Sequence, residues 1–197
     1  WLAGGTSQGS VKDFVVLPDG AVAGTAQYAY GNGRYDRFRF TLDPMGRETS
    51  RILYGPDQYA LGPLLLASDR IYWIEYDRVL QKHLVVCRGL DGQSLWSALI
   101  GFKLGNDPDF KVGPNGELAV CSGKDFAILE PTGDWRWSKR VFSVASDHTL
   151  MSFDPGGNIV ATSTEPTQSK TAAFAAKLDR NGSLLWQTYW THSSFDQ

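Results

Sequence analysis

Apolar residues in this chain come in short bursts separated by turn-forming clusters. "DFVVL" gives way to "PDG" and then to "AVAGTA", and the same rhythm continues to the last residues. No window of useful length keeps apolar residues at helical spacing, so the pattern predicts short strands and tight turns throughout. The bursts do not alternate cleanly. Val22-Ala23, Tyr72-Trp73-Ile74, Leu118-Ala119-Val120 and Ile159-Val160-Ala161 are apolar at consecutive positions. Strands covered on both faces read this way, whereas a half-exposed strand would alternate.

The bursts are organised by a repeat. "LDPMGRETS" (42–50), "LDGQSLW" (90–96), "LEPTGDWRW" (129–137) and "LDRNGSLLW" (178–186) each run from Leu through an acid to a glycine turn. Four residues after each Gly comes one recurring position, held by Ser50, Trp96, Trp137 and Trp186, with Trp1 at the same phase. The steps between them are 49, 46, 41 and 49 residues. A second landmark keeps the register: Gly20, Arg70, Gly116 and Gly157 follow the preceding phase position by 19, 20, 20 and 20 residues. Two turn motifs at fixed spacing through four copies define the unit as four antiparallel strands, the size of a β-propeller blade. The expected blades are roughly 11–54, 63–100, 108–141 and 148–190, within a single propeller segment. Residues 1–5 and the tail after Trp190 are expected to belong to flanking blades. Both ends supply the same fourth strand, so the four blades are expected to form an arc of a larger ring, completed by further blades or a second copy. A closed four-blade ring is the alternative.

"KLDRNGSLLWQTYW" and "GLDGQSLWSALIG" resemble the repeats of SBBP and PQQ-like (quinoprotein-like) β-propellers. The resemblance spans nearly the whole chain. It implies that Trp96, Trp137 and Trp186 are structural, each packing one blade on the next. Blade 1 departs from it with Ser50 in place of Trp, and blade 2 has a Leu-acid-Gly turn two residues shorter. A quinoprotein dehydrogenase would further imply a bound quinone, calcium and an adjacent-cysteine disulfide. The chain has no Cys-Cys pair and no CxxCH, so no cofactor is expected. The resemblance also implies an extracytoplasmic or secreted protein.

Charge adds little. Lys and Arg total 19 against 21 Asp and Glu, a net charge of −2. That balance offers no electrostatic case for nucleic acid. Apolar runs such as "GPLLLA" are far shorter than the ~20 residues of a membrane helix, so no membrane span is expected. Cys87 and Cys121 cannot make a disulfide framework; they read as buried thiols or as one disulfide. The four turn acids, Asp43, Asp91, Glu130 and Asp179, read as turn caps, not catalytic carboxylates. His83, His148 and His192 have no partner at ligand spacing, so no metal site is expected. Ser146, Asp147 and His148 are neighbours in an extended segment and point different ways, which defeats a catalytic triad. "GNG" at 31–33 lies between strands and reads as a hairpin turn.

Two connections in every repeat are tight and fall on one side; the other two vary and fall opposite. Variable loops on a rigid scaffold are where binding concentrates. The candidate partner-binding residues there are Tyr30, Arg34, Tyr35, Tyr59, Tyr76 and Arg78, since Tyr and Arg are favoured at interface hot spots. Some of the tyrosines could equally pack among the loops. The sequence thus points to a non-catalytic binding or scaffold propeller for a protein or glycan. The alternatives are an enzyme with its site at the channel and a structural subunit of a larger extracellular assembly.

Overall fold

A computed structural model describes residues 8–29, 35–54, 58–105, 108–142, 149–166 and 171–191. Among these the chain is all-β, with sixteen strands in four antiparallel four-stranded sheets. The first sheet holds β1 (Gln8–Val16), β2 (Val22–Ala29), β3 (Tyr35–Leu42) and β4 (Glu48–Leu53). The second holds β5 (Gln58–Ala67), β6 (Arg70–Asp77), β7 (Lys82–Gly89) and β8 (Ser94–Leu99). The third holds β9 (Asp109–Val112), β10 (Leu118–Ser122), β11 (Asp125–Leu129) and β12 (Trp135–Arg140). The fourth holds β13 (Thr149–Phe153), β14 (Ile159–Pro166), β15 (Thr171–Leu178) and β16 (Leu184–Thr191). In each sheet the strands lie in chain order, as a simple meander. These are β-propeller blades. The chain divides into two compact units, Trp1–Leu99 and Ile100–Gln197, with two sheets in each.

Glycine sets both kinds of turn. Gly20, Gly116 and Gly157 hold φ of 86°, 81° and 79° between first and second strands. Gly46, Gly92, Gly133 and Gly182 hold 79°, 81°, 92° and 75° between third and fourth. Only a residue without Cβ takes this conformation cheaply, so the turns fix the repeat. The turn acids cap the backbone, as Asp does in turns. Asp43 Oδ1 accepts from the amides of Met45 and Arg47, both at 2.9 Å. Asp179 Oδ1 accepts from Asn181 N at 2.8 Å and Ser183 N at 2.7 Å. Glu130 instead pairs with Arg136 at 2.6 and 2.9 Å.

The second blade's turn is not shortened. Gly89 N bonds Gln93 O, and Gly92 N bonds Gly89 O, the same pattern that starts from Asp43, Glu130 and Asp179 in the other blades. Gly89 therefore occupies the acid's place, and Leu90-Asp91 has slid into the turn. The slip puts Arg88 where the other blades carry Leu42, Leu129 and Leu178.

Each unit has its own core. In the C-terminal unit, buried residues of the third and fourth sheets, among them Phe126, Ile159 and Phe174, form one cluster with Phe142, which follows β12. Phe142 meets Phe126 at 5.3 Å and Phe174 at 4.5 Å, both edge to face, a favoured aromatic geometry. In the N-terminal unit Leu17, Ala23, Leu64, Ile71, Trp73 and Val86 join the first and second sheets. A carboxylate crosses between sheets at the same place in both. Asp13 Oδ2 accepts from Leu64 N in the N-terminal unit. Asp109 Oδ2 accepts from Met151 N at 2.7 Å in the C-terminal unit. Both acids precede their turn glycine, Gly20 or Gly116, by seven residues. Cys87 and Cys121 are free and buried. Burial pushes the Cys121 thiol up to about 12.

Candidate functional site

The sequence places the partner-binding candidates in variable loops and links, but three of them, Tyr35, Tyr59 and Tyr76, lie in strands, because the sheets extend further into those connections than the turn residues suggest. Tyr30, Arg34 and the "GNG" turn lie outside the described residues, as do His148, its two neighbours and His192. Tyr35 opens β3, and Tyr59, in β5, stands opposite Tyr76 of β6 in backbone register. Tyr76 stacks on His83 of β7 at 4.9 Å, so this tyrosine has a packing partner within its own sheet. Arg78 is exposed at the tip of the loop joining β6 to β7. Beside it Val79 is 78% exposed and Leu80 is 52% exposed. Asp77 Oδ1 accepts from Val79 N at 2.8 Å and Leu80 N at 3.0 Å. The loop thus holds two large apolar side chains out of the protein on a hydrogen-bonded turn. Among the described residues, no three His, Cys, Asp or Glu side chains come together in a way that could hold a metal.

The three tryptophans sit differently. Trp137, on β12, packs against the C-terminal core. Its Nε1 donates to Arg180 O at 2.8 Å, in the Leu-acid-Gly turn of the following sheet. Lys139 lies 5.2 Å from the Trp137 ring centroid and donates to Asn181 O at 3.2 Å and Gly182 O at 2.8 Å. A Cβ on Gly182 would sit 2.8 Å from Trp137 Cε2, so the close approach needs glycine. Trp96, on β8, meets Tyr72 of its own sheet at 6.0 Å. Trp186, on β16, is 44% exposed.

In the N-terminal unit the position equivalent to Trp137 is Ser50. A cavity of about 320 Å³ lies between the two sheets there, lined by Ser50 and by the turn from Gly89 to Gly92 of the second sheet. Trp73, only 2% exposed, contributes its ring. The Arg39 guanidinium carbon lies 4.9 Å from the Trp73 ring centroid and that of Arg88 lies 5.8 Å from it. Arg88 Nη1 donates to Gly92 O at 2.8 Å. Arg39 Nε and Arg88 Nε are buried without a hydrogen-bond partner. Burial holds the Arg39 guanidinium below its usual value, and the like charge of Arg88 adds to the effect. Glu75 lies near enough to oppose it, but its Oε1 accepts from Trp73 Nε1 at 2.8 Å. The sequence signals for this cavity were the missing Trp at 50 and the shifted Leu-acid pair at 90–91; neither says that two arginines meet there.

No protein-family model matches the sequence, and no curated protein matches it either. Solved structures do match the fold. A protein of unknown function from Bacteroides caccae aligns over 92% of this chain and 82% of its own, with 10% identity and a TM-score of 0.50. The β-propeller domain of the Trilobed protease from Pyrococcus furiosus, described as having an open velcro topology, aligns over 94% of this chain and 57% of its own, with 8% identity and a TM-score of 0.60. At these identities the likeness is one of architecture: the chain is similar to β-propellers.

Proposed function

We propose that this protein is a non-catalytic binding or scaffold propeller that engages a protein or glycan partner through its variable-loop side. The tryptophan-bearing repeats support placing it with propellers of the SBBP and PQQ-like repeat type, and with them an extracytoplasmic setting. The observation that carries the binding reading is the β6–β7 loop. Its turn is capped by Asp77, yet it presents Val79 and Leu80 to solvent next to Arg78. An ordered loop that spends its hydrogen bonds on exposing apolar side chains is a contact surface, and an arginine at its edge suits a hot spot. A glycan array and a binding screen against extracellular proteins test this. The variant carrying R78A, V79D and L80D should keep its melting temperature and lose at least roughly tenfold in affinity for the partner found. Unchanged affinity in that variant, or no partner in either screen, overturns the reading.

A second reading, a structural subunit of a larger assembly, is favoured by β16. This edge strand exposes Leu184, Leu185, Trp186, Tyr189 and Trp190, each between 44% and 56%. Edge strands of this kind invite pairing or packing by another chain. Concentration-dependent sedimentation that is abolished by Trp186→Lys would favour it over the loop reading.

A further inference from the structure

We infer that the cavity between the first two sheets is a ligand site for a small aromatic carboxylate. Three departures from the repeat meet there, and each taken alone weakens the fold. Ser50 replaces the tryptophan that fills the same junction at Trp137. Arg39 stands where the other blades bury Val85, Phe126 and Ala175. Arg88 stands where the third and fourth blades bury Leu129 and Leu178. A missing indole leaves a void, and two guanidiniums in place of core residues bring buried charge. A bound molecule with an apolar body and a single anionic head corrects all three at once.

The dimensions agree. A cavity of about 320 Å³ falls at the low end of the ~300–1,000 Å³ of small-ligand pockets. Phe40, Ile52, Leu64 and the Trp73 ring line it, giving an aromatic body surfaces to pack on. The equivalent junction of the C-terminal unit already accommodates an indole. The head group is set by Arg39 and Arg88. Their Nε groups are buried and unsatisfied, and neither arginine has an ion-pair partner among the described residues. Arginine presents a planar fork suited to a carboxylate. Asp91 also lines the cavity and Glu75 lies near enough to attract Arg39, so two carboxylates already stand near the two arginines. A monoanion fits that balance better than a dianion.

The test uses the 197-residue chain, titrated with indole-3-acetate by calorimetry and followed by its melting temperature. Indole and acetate are the controls. Indole-3-acetate should bind one to one and raise the melting temperature. Neutral indole should bind roughly tenfold or more weakly, because a charge-assisted hydrogen bond is lost. Ser50→Trp should fill the site from within. It should keep a cooperative melt and abolish binding. Arg39→Gln should weaken binding by roughly tenfold or more. The loop variant R78A, V79D, L80D should bind indole-3-acetate as the unaltered chain does, which separates this site from the loop surface. Three results overturn the inference: no saturable binding of indole-3-acetate, equal binding of indole, or full binding by a folded Ser50→Trp variant. Should Ser50→Trp fail to fold, unchanged affinity in Arg39→Gln overturns it instead.

Discussion

Trp137 holds the neighbouring sheet twice, by its ring and by its indole nitrogen, and Gly182 makes room for it. The two residues should therefore fail together. Trp137→Ala removes the ring from a partly buried site and should cost up to about 3 kcal/mol. Trp137→Phe keeps most of the packing but gives up the bond to Arg180 O, for about 1 kcal/mol. Gly182→Ala should cost about 1–2 kcal/mol for the left-handed backbone alone, with more added by the Cβ that meets Trp137 and Lys139. In the Trp137→Ala background that added part should vanish, leaving only the backbone cost. Urea unfolding of the four variants measures this. Equal Gly182→Ala penalties in both backgrounds would mean that the two residues do not interact.

At the scale of strands and turns, the repeat was legible because its turns need particular residues. Positive φ at the turn glycines forces a spaced motif onto the sequence, and strands covered on both faces lose their alternation. The cavity was hidden for the opposite reason. Its residues come from every strand from β2 to β7 and from two turns, and the motif itself misleads at one of them. "LDG" at 90–92 looks like a copy of the repeat's Leu-acid-Gly, yet its Leu and Asp lie inside the turn and Arg88 takes the core place. A two-residue slip of this kind is decided by hydrogen bonding, which spacing does not report. The carboxylates of Asp13 and Asp109 were missed as well. They stand beside Phe14 and Phe110 in strands that otherwise read as ordinary, and their partners are backbone amides about 40–50 residues on, in the following blade. Asp109→Ala leaves the Met151 amide without its acceptor and should cost about 1–3 kcal/mol. Asp13→Ala should do the same for Leu64. The two acids share no partner, so the double variant should add to within about 0.5 kcal/mol. Chemical denaturation of the single and double variants checks both statements.

Across the whole molecule the two units are unequal. The C-terminal one fills its junction with Trp137 and a chain of three phenylalanines. The N-terminal one carries a cavity and two poorly satisfied arginines at the corresponding place. The N-terminal unit should therefore open first. Hydrogen exchange should be slowest in β10, β11, β14 and β15, and faster in β2, β3, β6 and β7. Saturation with indole-3-acetate should slow exchange in β3, β6 and β7 selectively. Uniform protection in both units would remove the link between the cavity and local stability.

The paired acids bear on how such chains could be lengthened or cut. Asp13 and Asp109 each need an amide from the sheet that follows, and the second and fourth blades have Pro63 and Leu150 in the acid's place. The natural building block is thus a doublet of about 96 residues, the step from Asp13 to Asp109. A single added copy of the first blade would aim its carboxylate at the Phe14 amide, which Asp13 Oδ1 already accepts from at 2.9 Å, while an added doublet would give each such carboxylate a free amide like those of Leu64 and Met151. Arrays built from this chain should accordingly be more stable when extended by doublets than by single copies of the first blade.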